Sequence, residues 1–337
     1  MSIGACTTST PDDPQQCRII ALDLGQAAPP APRGGGEAPG PTVIEQSTET
    51  AVPLHPGDRI LVLATTLADG TTSYSFYDFQ RTTPLLLLTG LFAIVVIAIG
   101  RWRGVGALIG MAASLLLLVS FTLRNLVNGD DPVAIAVITA AAIAIVALYL
   151  AQGVRITTSV ALLGTLASLA ITGLLSVLFV ELTHLTGLAD EDAQFVVALG
   201  GNIDVRGLLL AGFVIGALGV LDDITVTQVS AVAELRAAQP DLTRAQMFRA
   251  AMNIGRDHIA STVNTLVLAY AGAALPLLIL FVGAHQPLSS IAGREVVATE
   301  IVRSLVGSIG LVCAVPITTW LATTVHLPAD RDGHHHH

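Results

Sequence analysis

Two adjacent carboxylates, Asp222 and Asp223, interrupt the apolar run GLLLAGFVIGALGVLDDITVTQVSAVAEL. A stretch that apolar reads as a membrane-spanning helix. An ionised Asp near the bilayer centre costs on the order of 3 kcal/mol on insertion scales, so such residues face a bundle interior, a water-filled cavity or a partner. The chemistry within their reach is proton or ion handling. Successive residues on a helix point about 100° apart, which gives the two carboxylates different surroundings. Like charges this close repel, and uptake of one proton relieves the repulsion. One of the pair can instead cap a broken helix or hydrogen-bond a neighbouring span, leaving the other to titrate.

Other polar residues cluster around this pair. Gly212, Gly216 and Gly219 precede it as a small-residue face for helix packing, and Thr225 and Gln228 continue a polar trail toward Glu234. Asp222 lies about 15 residues, roughly 22 Å, from the helix start near Gly207. The next span carries Asp257, His258, Ser261 and Asn264, and antiparallel packing would bring Asn264 to a similar depth. His258 titrates near neutral pH when unperturbed, although a lone His at a helix end is also an ordinary interfacial residue. Thr318 adds a polar position to the last span, and Glu300 and Arg303, three apart, read as a local pair. Asp222, Asp223 and Asn264, with His258 nearby, also form a candidate hard-oxygen site for Mg²⁺ or Mn²⁺.

The elements that position these groups follow from composition. The chain has 337 residues, 53% hydrophobic and only 12% charged, with mean hydropathy +0.71, against roughly 25% charged in soluble domains. A net charge of −9 without a basic patch argues against nucleic-acid binding. The expected fold is a polytopic α-helical membrane protein of about seven transmembrane helices, near 84–100, 104–123, 132–150, 157–183, 207–232, 259–283 and 301–326. Lys is absent, and Arg101, Arg103, Arg155, Arg236, Arg244, Arg249 and Arg256 fall in alternate loops. The positive-inside rule makes those loops cytoplasmic, the N-terminal region extracytoplasmic and the C-terminus internal, in the cytoplasmic membrane. Arg236, Arg244 and Arg249 read as part of a solvated connector, and residues 242–254 as a short amphipathic helix.

Four regions are expected: a small extracytoplasmic β-domain at 1–83, two repeated transmembrane hairpins at 84–183, a polar transmembrane half at 184–333, and a tag remnant at 334–337. The β-domain has strand-like CRIIALDL, HPGDRILVLATTL and TTSYSFYDF, the last two joined across Ala68-Asp69-Gly70. Its outside placement makes a Cys6–Cys17 disulfide plausible, with two free thiols as the alternative. Residues 1–24 lack a basic n-region and an apolar h-region, so the domain crosses either by an upstream signal-anchor helix or by unaided translocation. ALIGMAASL at 107–115 and ALLGTLASL at 161–169 suggest a parallel internal repeat. With almost no ionisable group inside the membrane, the hairpins are expected to be scaffold.

The succession GVLDDITV, a basic loop, and a polar-to-apolar span ending at Pro276 resembles the Asp-containing helix region of the resistance-nodulation-division transporters and the Sec-associated translocation motor, over residues 207–283. That resemblance implies a proton relay at the acidic pair. The paired porter domains and any intramembrane Lys are absent here. Across nearly the whole chain, the order of outside domain, paired hairpins and LGVLDDITVTQ…MNIGRDHIASTVNTLVLAYAG resembles the YibE/F-like family, whose members usually begin with a helix before the outside domain.

The leading expectation is a proton- or cation-coupled secondary transporter that moves a small solute outward. The alternatives are a non-transporting membrane module assisting envelope assembly or a partner transporter, and a divalent-metal site or transporter. Partners would be the bilayer, the solute, a protein at the outside domain and a second copy of the chain. HExxH, GxSxG and P-loop motifs are missing and no cofactor is implied, so an enzyme is not expected.

Overall fold

Alternating side chains build the N-terminal sheet. In this computed structural model, which describes residues 2–5, 16–23, 43–47, 52–66, 72–189, 191–198, 204–283 and 288–325, five strands lie in the order β1-β2-β3-β5-β4. They are β1 Ser2–Ala5, β2 Gln16–Ala21, β3 Val43–Ser47, β4 Ile60–Thr66 and β5 Thr72–Phe79. The pairs β1–β2, β2–β3 and β4–β5 are antiparallel, while β3 joins β5 in parallel through Ile44 and Tyr74. Tyr74 and Phe76 are half-buried and Ser73, Ser75 and Tyr77 exposed, the period of two that a one-faced sheet requires. Ile44 and Leu54 supply its buried core. The strands expected from the sequence correspond to β2, β4 and β5; the Asp-Gly turn and Cys6 lie outside the described residues.

Arg81 donates to both Asp78 carboxylate oxygens at 2.7 Å. That bond, reinforced by the Phe79 amide, holds the Asp78 carboxyl below its ordinary 3.8. The pairing contributes fully above that ordinary value and is lost as pH falls through the lower folded one. An NMR titration of full-length protein is expected to find the Asp78 midpoint below 3.8, and Arg81→Ala should return it toward that value.

The helices are α1 Thr82–Leu117, α2 Arg124–Val127, α3 Pro132–Gln152, α4 Ile156–Leu182, α5 Glu191–Ala198, α6 Val205–Ala238, α7 Arg244–Ala273, α8 Leu275–Gly283, α9 Leu288–Ala292 and α10 Glu295–Thr324. A π-helical turn, Leu118–Leu123, joins α1 to α2. Among the described residues, five stretches are long and apolar enough to cross a membrane: Thr82–Val127, Pro132–Gln152, Ile156–Leu182, Val205–Ala238 and Glu295–Thr324. This makes the chain a multipass membrane protein, with fewer qualifying helices than the seven runs read from hydropathy.

Two local features account for the difference. Expected spans 84–100 and 104–123 merge into one 46-residue stretch, interrupted at Arg101, whose backbone is non-helical with φ 51° and ψ −133°. The chain reverses there: a Cβ on Gly104 would lie 2.3 Å from the Val96 carbonyl oxygen, whereas eight residues of straight helix span about 12 Å. Expected span 259–283 is divided instead. Its first part continues the 242–254 segment as the single helix α7, begun by a Thr243–Gln246 capping box. The break falls at Ala274, just before Pro276, which cannot donate to the carbonyl four residues back.

The chain divides into two compact units, Met1–Ile94 and Val95–His337. In the second, α3, α4, α6 and α10 share one core, with Ala136, Ala140 and Ala144 of α3 meeting Leu169, Leu218, Leu221, Ile224, Leu311 and Val315. The expected boundary at 183/184 therefore runs through a continuous core, because α4 packs against both α6 and α10. Backbones approach closely at three glycines: a Cβ would meet Thr318 Oγ1 at 2.3 Å from Gly164, Thr172 Oγ1 at 2.0 Å from Gly310, and Val315 Cγ1 at 2.5 Å from Gly255. Buried Thr165, Ser168, Thr172 and Ser176 run along α4, and each donates to the carbonyl four residues earlier. Ser168, Thr172 and Ser176 are thereby satisfied within their own helix, while the Thr165 hydroxyl also meets that of Thr225 on α6 at 2.7 Å.

Charged residues finish the helix ends. Asp131 caps α3 by accepting from the Val133 amide at 2.9 Å and the Ala134 amide at 3.3 Å, with Pro132 at the first helical position. Glu295 accepts from the Thr186 and Gly187 amides at 2.6 and 2.8 Å, tying the turn after α4 to the start of α10. Arg206 pairs with Glu181. Glu300 and Arg303 form the expected local pair at 2.8 Å, and the Arg303 guanidinium also sits 5.2 Å from the Phe213 ring centroid.

Arg236 and Arg244 are not merely solvated. Arg236 donates to the Val325 and Thr323 carbonyls at 2.9 and 3.4 Å, and Arg244 to Thr323 at 3.2 Å. Two cations thus close the C-terminal end of α10, where orphan carbonyls and the helix dipole favour positive charge. Arg236→Ala is expected to cost about 1 kcal/mol, read as a lowered melting temperature of the purified protein, with Arg236→Lys losing less.

Candidate functional site

Asp222 and Asp223 lie on α6 at the edge of a cavity of about 330 Å³. Its walls come from three helices: α1 supplies Ala107, Gly110, Met111 and Ser114; α3 supplies Ala147, Leu148, Ala151 and Gln152; α6 supplies Gly219, Val226 and the two carboxylates. The first hairpin, expected to be scaffold alone, therefore builds two of the three walls. Close approach makes this possible, since a Cβ on Gly106 would lie 2.4 Å from the Leu150 carbonyl oxygen, and Gly110 faces Ala147 at 3.4 Å.

The two carboxylates have different surroundings, as their angular separation requires. Asp222 is half-buried, and its Oδ1 is buried without a hydrogen-bond partner among the described residues. Asp223 is 72% exposed, with Oδ2 3.9 Å from Nε2 of His258 on α7. That gap is too long for a direct hydrogen bond, and the His258 Nε2 is likewise buried and unpartnered. A buried carboxylate oxygen without a donor is costly, so this geometry stores an affinity for anything that supplies a proton or a positive charge.

Below the pair in sequence, the α6 face turns into the core. Thr225 is fully buried, with its hydroxyl 3.0 Å from the Asp222 carbonyl and 2.7 Å from the Thr165 hydroxyl of α4. Gln228 donates to the Ala251 carbonyl at 2.9 Å and to Thr319 Oγ1 at 2.7 Å, joining α6, α7 and α10 through one amide. A Cβ on Gly255 would lie 2.9 Å from Gln228 Oε1, so glycine there leaves room for the amide. Thr318 is buried against Gly164 on the other side of α10, and its Oγ1 has no partner among the described residues.

Other expected site residues fall elsewhere. Asp257, Ser261 and Asn264 are exposed on α7 and do not line the cavity. The candidate metal set of Asp222, Asp223 and Asn264 is thus not assembled, and no group of three or more His, Cys, Asp or Glu converges among the described residues.

The glycine face needs correction. A Cβ on Gly212 or Gly219 would meet nothing within 4 Å, and one on Gly216 only the Tyr270 hydroxyl at 3.9 Å. These glycines lie on the open side of α6, in line with Asp223, and pack no backbone. Their spacing fits a helix contact and an open face equally well, and the neighbouring helices meet α6 through Ala217, Leu218, Leu221 and Ile224 instead.

Met111, Ser114 and Gln152 were the site residues that composition concealed. Gln152 carried the only usable signal, a polar amide closing an otherwise apolar helix just before Gly153.

The family model described as YibE/F-like protein matches residues 88–327, which include the cavity, the acidic pair and all of α3 to α10. No curated protein and no solved structure matches the chain. Because the match covers well over half of the sequence and every helix that builds the site, this chain belongs to the YibE/F-like family.

Proposed function

We propose that the protein is a secondary active transporter in which Asp222 and Asp223 bind a proton or another cation, whose downhill movement drives a small solute out across the cytoplasmic membrane. The observation that carries this reading is the buried, unpartnered Asp222 Oδ1 beside an open Asp223 at the mouth of a cavity. With both groups ionised, the pair favours a bound cation; with one protonated, that preference weakens. A site whose charge changes with occupancy biases any two conformations that expose it differently, which is the thermodynamic requirement for coupling. His258, at 3.9 Å, is placed to exchange protons with Asp223. No bond-making step is invoked, and the chain's own side chains suffice.

The accompanying topology has seven spans: the two arms of Thr82–Val127 on either side of Arg101, α3, α4, α6, α7 with α8, and α10. The sheet lies outside and the C-terminus inside, in keeping with the alternate-loop arginines.

The test is charge displacement on a solid-supported membrane after a pH jump. Wild-type protein is expected to give a transient current that Asp222→Asn plus Asp223→Asn removes while the variant stays monodisperse. A current that survives in the double variant would remove the pair from the coupling role. No current from the wild type would exclude the proton as driving ion, and the same jump made in Na⁺ would then decide for or against another cation.

A further inference from the structure

The cavity walls say more about what enters than the carboxylates do alone. Its volume of about 330 Å³ would hold about ten water molecules at ~30 Å³ each. That is far more room than a dedicated metal cage leaves around an ion held by oxygens at about 2.0–2.6 Å. Eight of the twelve lining residues are Ala, Gly, Leu, Met or Val. The neutral polar groups are Ser114, whose hydroxyl proton is already given to the Gly110 carbonyl at 2.8 Å, and Gln152. Among the described residues no Lys, Arg or His lines the space, so an anion would meet two carboxylates and no counter-charge. An open cleft of this size, walled mostly by apolar side chains with negative charge on one wall, fits a body that is greasy over most of its surface and positive at one point.

We propose that this cavity is the binding site of a lipophilic organic monocation, and that the cation and the proton compete for the same two carboxylates. The proposal rests on the transport reading above and supplies its substrate class. Exchange follows from shared occupancy: an arriving proton cancels the charge that holds the cation, and a departing proton restores it. The charged groups that bear on this competition are few. The cavity-lining parts of α1 and α3 bring none; α7 brings His258 at 3.9 Å from Asp223, with Arg256 and Asp257 exposed beside it. Protonation of His258 acts in the same direction as protonation of the pair, because it adds positive charge next to Asp223.

The test is binding of radiolabelled methyltriphenylphosphonium to the full-length protein in lipid nanodiscs. Saturable binding is expected at pH 8, weakening progressively to pH 5.5, with at least tenfold loss in Asp222→Asn plus Asp223→Asn and no binding of uncharged 1,1,1-triphenylethane. Gly219→Leu gives a second arm, because a Cβ there meets nothing within 4 Å and a larger side chain takes up part of the cavity while both carboxylates stay in place. It should keep the protein folded and weaken cation binding at least tenfold. Equal binding of the uncharged compound, undiminished binding in the double Asn variant, or displacement by micromolar Mg²⁺ with affinity unchanged in Gly219→Leu would each overturn the proposal. If the pH-jump current is present and no organic cation binds, the substrate class fails and the coupling reading survives. Absence of organic-cation binding together with absence of current in both the pH jump and the Na⁺ experiment would bring down both.

Discussion

Gly310→Ala is expected to lower the stability of the bundle by about 2–3 kcal/mol, the upper part of the usual overpacking range. A methyl group at that position would stand 2.0 Å from Thr172 Oγ1 and 3.2 Å from Thr172 Cβ. Thr172 cannot simply rotate away at no cost, since its hydroxyl donates to the Ser168 carbonyl at 2.9 Å in a fully buried seam. Either α4 and α10 separate, losing contacts along both helices, or the hydroxyl is displaced and its bond broken. Thr172→Ala removes the offending oxygen and leaves a contact that a small shift relieves. The double variant should therefore recover most of the loss, and melting temperatures of detergent-purified protein would show it. Additive losses in the double variant would mean that the two helices do not meet at this point.

Gln228→Leu is the second large effect expected. The side chain is 2% exposed, and both amide hydrogens are committed, one to Ala251 of α7 and one to Thr319 of α10. Leucine fills nearly the same volume and offers no donor. The Ala251 carbonyl already serves its own helix, but Thr319 Oγ1 keeps only its donation to Val315. Leaving buried acceptors unpaired costs about 1–3 kcal/mol each, so a loss of about 2–4 kcal/mol is expected by thermal unfolding. A double-mutant cycle with Thr319→Val should return a coupling of about 1 kcal/mol. Zero coupling would mean that Gln228 acts by volume alone.

Hydropathy makes the membrane helices legible because a run of apolar residues has few other uses. It does not find the chain reversal at Arg101, where the residues on either side remain apolar, nor the break at Ala274, which depends on one proline inside an unbroken apolar stretch. In the sheet, β4 and β5 announce themselves by β-branched and aromatic alternation. The sequence VIEQS of β3 has no such pattern, and its strand exists because β2 and β5 are there to pair with it.

At the site, the acidic pair was conspicuous for being charged in an apolar run. Its chamber was not, since Ala107, Gly110, Ala147 and Ala151 look the same in a lipid-facing helix as in a cavity wall. The repeat read from ALIGMAASL and ALLGTLASL shows the same limit. The second copy is buried at Ala161, Gly164, Thr165, Ser168 and Leu169, while the first is largely exposed apart from Gly110. Similar strings here serve different surroundings.

The hydroxyl stripe of α4 bears on how such a bundle could move. Thr165, Ser168, Thr172 and Ser176 all send their protons back to their own helix. Along most of the seam with α10, sliding the two helices past each other would break no hydrogen bond and would be resisted by side-chain shape alone. The Gln228 amide behaves oppositely, since any relative displacement of α6, α7 and α10 there ruptures two bonds at once. The interior thus holds a low-friction shear plane between α4 and α10 and, a turn and a half beyond the acidic pair, a two-bond rivet across α6, α7 and α10, so rocking of these helices would pivot near Gln228 and be largest at points remote from it.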